Sequence, residues 1–229
     1  MSSEHLKNYD EGQAGIFRNY YNNDEASRQF STELSKIEQL VQKAASGGVN
    51  LRRNEIYRQI QEQVGQAVHR HHEARRQQAD DYRAMFEKHV KDRAKPSDTA
   101  RLADSFELQA KVRAMTTEQL EQRYVHNTTA RPEITFKAAA FKSPTEYDLV
   151  VSELRDRGVA SVDVLREAMK DVPRQAIGDA KGAVLLDEAK AYDIKSDADT
   201  VLVRDERGAH IGVLAGALID LSPLERIPE

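Results

Sequence analysis

The densest group of chemistry-bearing side chains is His69-Arg70-His71-His72-Glu73. On a helix, His69 faces the same way as His72 and as Glu73. Two imidazoles, or an imidazole and a carboxylate, at a spacing of three or four can hold a divalent metal. Such a site needs further ligands, yet His126 and His210 stand alone in the chain, and Arg70, Arg75 and Arg76 disfavour a cation. The expected state is a solvated helix face with His71 turned into a pairing stripe and no metal or cofactor bound. A pH-sensitive contact through His71 is the intermediate reading.

Other chemistry is weaker still. Gly178, Gly182, Gly208, Gly212 and Gly216 lack the strand–glycine–helix setting of a phosphate loop. Gly178 and Gly182 fall four apart in a helical pattern, which points to close helix approach. The adjacent carboxylates Asp187 and Glu188 face different ways on a helix. No Gly-x-Ser-x-Gly elbow occurs, and there is no Cys, which excludes thiol nucleophiles and disulfides. The expectation is a chain that is not an enzyme and takes no small-molecule substrate. An enzyme with a dispersed site in 133–229 is the second alternative.

The element that carries the His cluster is a long helix over 54–94. Ile56, Ile60, Val64, Ala67, His71, Ala74, Gln78, Tyr82, Met85 and His89 recur at steps of three or four, so they share one side. Gln, Glu, Arg and Ala fill the rest, all good helix formers. The stripe turns polar after Val68, so imperfect, coiled-coil-like pairing is expected rather than a strong zipper. Before it, Phe30, Leu34, Ile37, Val41 and Ala44 repeat at heptad spacing, predicting a helix over 24–46 capped by Asn23 or Asp24. Ser46-Gly47-Gly48 stops this helix, and the two fold back as an antiparallel hairpin. The helix over 24–46 holds the near half of the long helix; the far half, with the His cluster at the junction, is where contacts to other chains are expected.

Further helices are expected over 98–115 and 117–126, the latter started by a Thr116–Gln119 capping box. Residues 1–23 form a polar and aromatic arm, 1–127 an elongated helical region, 128–132 a linker, and 133–229 a small α+β domain. That domain holds three helices, the first opened by Ser143-Pro144, and a β-hairpin over about 200–214 turned at Asp205-Glu206-Arg207-Gly208. Residues 133–137 suit a strand or a helix. The fold class is therefore mainly α with a C-terminal β-hairpin.

Composition bounds the function. Hydrophobic residues make up 39% and charged residues 31% of 229, with no Trp, a balance suited to helices with wide solvated faces. Residues 51–95 carry eleven Lys/Arg against seven Asp/Glu, whereas 131–229 carry fourteen against nineteen. A basic helix and an acidic C-terminal region can attract each other within or between copies. The Arg-rich stretch 52–95 raises nucleic-acid association without sequence specificity as the first alternative, although its acids are interleaved. No run is long and apolar enough to span a bilayer and the first residues do not form a signal peptide, so an intracellular protein off the membrane is expected.

A half-covered helix, an arm and a strand edge favour assembly with other protein chains. The contact residues expected are Phe17, Tyr20 and Tyr21 in the arm, His71, Tyr82 and Met85 on the long helix, and Val201, Val203, Ile211 and Val213 in the hairpin. The reading is a structural or assembly protein working as a homo-oligomer or as a subunit of a larger complex. In layout, long helices followed by a small terminal domain, the chain resembles tailed-virus head, connector and scaffolding proteins. That resemblance implies incorporation into a virion.

Overall fold

A computed structural model describes residues 24–48, 52–93, 98–129, 132–195, 197, 199–204 and 210–227. The fold is mainly α with a two-stranded antiparallel hairpin, as the sequence predicts. Helix α1 spans Glu25–Ala45 and α2 spans Arg53–Asp92. Then come α3 (Asp98–Ala114) and α4, which starts at Thr117–Leu120 and runs through a wider π-helical Glu121–His126 into Asn127–Thr129. Helices α5 (Ile134–Ala139), α6 (Pro144–Asp156), α7 (Ser161–Met169) and α8 (Ala180–Tyr192) follow. Strands β1 (Thr200–Arg204) and β2 (His210–Leu214) close the order with two short 3-10 turns, Ala215–Leu218 and Ser222–Arg226.

Local rules account for most boundaries. Asp24 caps α1 by accepting the Ser27 amide at 2.8 Å, and the Gly48 amide closes its other end on the Lys43 carbonyl. Thr116 and Gln119 form a reciprocal capping box, and Ser143 caps α6 with Pro144 in its first turn. Of residues 133–137, open between strand and helix in the sequence, Glu133 is the extended N-cap and 134–137 are helical in α5. The reason is a partner distant in sequence. Asp187 of α8 accepts the amides of Ile134 and Thr135, each at 2.7 Å, and the Thr135 hydroxyl. A carboxylate there satisfies orphan donors and suits the positive end of the short helix. Asp187→Ala is expected to cost about 2 kcal/mol, read as faster hydrogen exchange in α5 than in α6.

The third helix expected over 173–192 is broken. A 3-10 turn, Arg174–Ala176, leads into Gly178, and α8 starts only after Asp179. Asp179 accepts the Gly182 amide at 3.1 Å on its carboxylate and the Ala183 amide at 2.9 Å on its carbonyl, which restarts the helix. Gly182 does mark a close approach: a Cβ there would lie 3.1 Å from Phe86 Cε2.

Contacts divide the chain into residues 1–78 with 192–229 and residues 79–191. The linker expected at 128–132 lies inside the second unit. There Thr128 is buried and its hydroxyl donates to the Tyr124 and Val125 carbonyls. In the first unit α1 and α2 run antiparallel, and their apolar stripes (Phe30, Leu34, Ile37, Val41; Ile56, Ile60, Ala67, Val68) share one core with Val201 and Val213 of the hairpin. The hairpin thus belongs with the N-terminal helices rather than with 133–191. A two-stranded ribbon cannot hold itself together and needs an apolar face to lie on; the stripes of α1 and α2 provide it. The second unit has its own core, centred on Leu120, Tyr124, Phe141, Val150, Leu154 and Leu165. The C-terminal part of α2 belongs to this unit. Ala79 is fully buried, Phe86 packs on the core, and His89 Nε2 lies 2.9 Å from Asp179 Oδ2. The far half of α2, where contacts to other chains are expected, thus packs in part on this unit, while its Met85 is exposed.

Candidate interaction site: the His cluster and the hairpin edges

Helical spacing puts His71, His72 and Arg75 where α2 meets β1. The pairing register is Val201↔Val213 and Val203↔Ile211, flanked by Thr200↔Leu214 and Leu202↔Gly212. Since the Ala215 amide donates to Asp199, the hydrogen-bonded pairs are the odd-numbered residues of β1. Thr200 and Leu202 therefore aim their carbonyls away from β2. Side chains of α2 meet both. His71 Nε2 is 3.0 Å from the Leu202 carbonyl, His72 Nε2 is 2.9 Å from that of Thr200, and Arg75 Nη1 donates to Leu202 at 3.3 Å. The outer edge of β1 is closed by one helix face.

His71 is the pivot. The residue is 2% exposed, and its other ring nitrogen, Nδ1, lies 3.2 Å from the Ala26 carbonyl of α1. The ring tilts against Phe30 at 5.3 Å between centroids. One imidazole thus ties α1, α2 and β1 together. Burial pushes its pKa down to about 4; the two carbonyls oppose that, the Arg75 charge adds to it and Asp24 opposes it. Its neighbour His69 is exposed and lies 3.3 Å from Glu73. Among the described residues no group of three or more His, Cys, Asp or Glu is placed to hold a metal.

The expected contact residues fall into three sets. Phe17, Tyr20 and Tyr21 lie outside the described residues. Val201 and Val213 are fully buried in the chain's own core, Ile211 packs on it, and Val203 pairs with Ile211 in the hairpin. His71, Val201 and Val213 are thus buried within the chain itself, and Ile211 packs beside them. Tyr82 is half-buried, while Met85 is 54% exposed. The sequence reading missed Leu214, 44% exposed at the end of β2, and Gly212, exposed at its centre. Gly212 pairs with Leu202 in the same non-bonded set, so its amide and carbonyl point away from β1. No described residue bonds to them. The alternation of the strand could have revealed this edge, but not which edge α2 would cover.

Two of the cations of α2 are paired with carboxylates. Arg70 forms a two-pronged pair with Glu33 at 2.7 and 2.9 Å, and Arg83 pairs with Asp80 at 2.7 Å. In the second unit the fully buried carboxylate of Glu146 accepts from the Tyr124 hydroxyl at 2.8 Å and the Lys142 amide at 2.5 Å. Burial and then Glu146 push the Tyr124 phenol up to about 12. This pair is a packed support for α4 and α6.

Compared with protein-family models, with curated proteins and with solved structures, the chain gives no match. Among the described residues no helix is long and apolar enough to cross a membrane.

Proposed function

We propose that this chain is a structural or assembly protein without catalytic activity, working as an oligomer or as a subunit of a larger complex. The observation that carries this reading is the asymmetry of the hairpin. The edge of β1 is closed by His71, His72 and Arg75, whereas no described residue bonds to the edge of β2 at Gly212, beside the exposed Leu214. An open strand edge is a template for another strand, and natural proteins that stay monomeric blunt it with charge, proline or a cover. Neither Gly212 nor Leu214 does so. A second copy can add its β2 antiparallel about Gly212, extending two strands to four. A component of a viral head, connector or scaffold is the particular role in keeping with the layout of long helices and terminal hairpin.

Light scattering on the purified chain across a concentration series tests the reading. The expected result is a mass that rises with concentration, and a shift toward monomer in Leu214→Lys. A lysine at an exposed edge position disfavours edge pairing, by about tenfold or more in dissociation constant if it costs ~1.4 kcal/mol. A compact monomer at every concentration that also takes up no partner chain would remove the proposal.

A further inference from the structure

We infer that the pocket between α2 and the chain leaving α8 is a binding site for a small phosphate-bearing anion. The pocket has a volume of about 260 Å³. One wall is His72, Arg75 and Arg76 of α2, a spacing of three and four that gathers all three on one face. The other is Tyr192, Asp193 and Lys195. Three cations, Arg75, Arg76 and Lys195, and one carboxylate therefore line a concave space. This excess of like charge favours an anion, and it belongs to a site distinct from the open strand edge.

The cations differ in role. Arg75 is 3% exposed and held in place: its guanidinium lies 5.0 Å over the Tyr192 ring and donates to Leu202. A planar fork fixed in this way is set up for oxyanion recognition, because little side-chain freedom remains to be lost on binding. Arg76 and Lys195 are exposed, and neither forms an ion pair with a described residue. On the same helix Arg70 and Arg83 are neutralised by Glu33 and Asp80. Arg76 is instead brought near a second cation, Lys195. A phosphate group, with its several acceptor oxygens and its negative charge, is matched by the two mobile donors Arg76 and Lys195 beside the positive charge of Arg75. The Tyr192 ring on the wall provides a flank for the body of a small ester, and the volume sits near the lower end for small-molecule pockets.

Isothermal titration of the full chain at low ionic strength tests this. Inorganic phosphate is one ligand and glycerol phosphate the other, with sodium chloride at matched ionic strength as the blank. Saturable binding of at least one phosphate compound is expected, and the tighter of the two tells free phosphate from an ester. The double variant Arg76→Ala/Lys195→Ala is expected to weaken binding by at least about tenfold with its helical circular dichroism unchanged. A second double variant, Arg58→Ala/Lys36→Ala, removes the same charge from exposed positions outside the pocket and is expected to bind as the parent does. No saturable binding, equal heats with chloride, or equal weakening in both double variants would each overturn the inference.

Discussion

Gly178→Ala is expected to unfold much of the 79–191 unit, at a cost above about 4 kcal/mol, whereas Gly158→Ala costs only about 1 kcal/mol. Both glycines have positive φ, +74° at Gly178 and +68° at Gly158, so the left-handed conformation charges a side chain roughly 1–2 kcal/mol at each. Their surroundings differ. A Cβ on Gly158 meets nothing within 4 Å. A Cβ on Gly178 would lie 2.1 Å from the Lys142 carbonyl oxygen, 2.3 Å from its carbon and 2.7 Å from the Ser143 nitrogen. Those atoms are backbone and cannot swing aside. They are also pinned, since Glu146 holds the Lys142 amide, Ser143 caps α6, and the Gly178 amide bonds to Ala138. Relief requires moving the α5–α6 connection off the 174–179 turn, which opens the core around Phe141. Losses of this size are exceptional for one methyl group and diagnostic of backbone overlap. Hydrogen exchange resolved over α5 to α8 is the measurement. Equal protection in the two variants would show that the close crossing at Gly178 does not exist in solution.

That contrast also marks what the chain discloses about itself. Helix starts were readable because their chemistry is local: Asp24, Thr116 and Ser143 each meet an amide three residues on. The stripe of α1 was equally plain, and Phe30, Leu34, Ile37, Val41 and Ala44 are all buried. Pairings across long separations were not readable. Nothing near Ile134 announces Asp187, and the carboxylate had looked like a chance neighbour of Glu188. Gly178 reads as a helix-contact glycine until Lys142 is seen behind it. The hairpin itself was legible from its two β-rich runs, but its seat on α1 and α2 depends on contacts more than 120 residues apart, such as His71 with Leu202. Polar residues in the stripe predict imperfect pairing of α2 beyond Val68. At His71 the polarity is the partner contact, because strand carbonyls need donors rather than a leucine. The functional site was less legible than the fold, since an open edge is defined by what fails to cover it.

Lowering the pH from 7 toward 4 is expected to destabilise the joint of α1, α2 and β1 by roughly 3 kcal/mol through His71 alone. The ring has two carbonyl acceptors, Ala26 on Nδ1 and Leu202 on Nε2. A neutral imidazole has one N–H and can serve only one of them; the protonated ring could serve both. Burial nevertheless dominates and holds the folded-state pKa down to about 4, with Arg75 opposing the charge and Asp24 favouring it. His72 is the other titratable ring beside it, 6.2 Å away. Because the folded value lies below the unfolded value of about 6.5, the unfolded chain binds the proton more readily. The stabilisation is complete above pH 6.5 and is lost as pH falls between 6.5 and 4, a displacement worth about 3 kcal/mol. The carboxyls of Glu25 and Asp179 sit below their usual values of 4.5 and 3.8, so their contributions fade lower on the scale. His71→Gln separates the effects. The variant is expected to be less stable than the parent at pH 7, since it loses the packing of the ring against Phe30, but to show a flatter stability between pH 7 and 4.5. Urea unfolding of both proteins across that range, with exchange of the α1 and β1 amides as the local readout, provides the comparison. If the gap between parent and variant does not narrow on acidification, the ring is not buried as described, and the closure of the β1 edge by α2 fails with it.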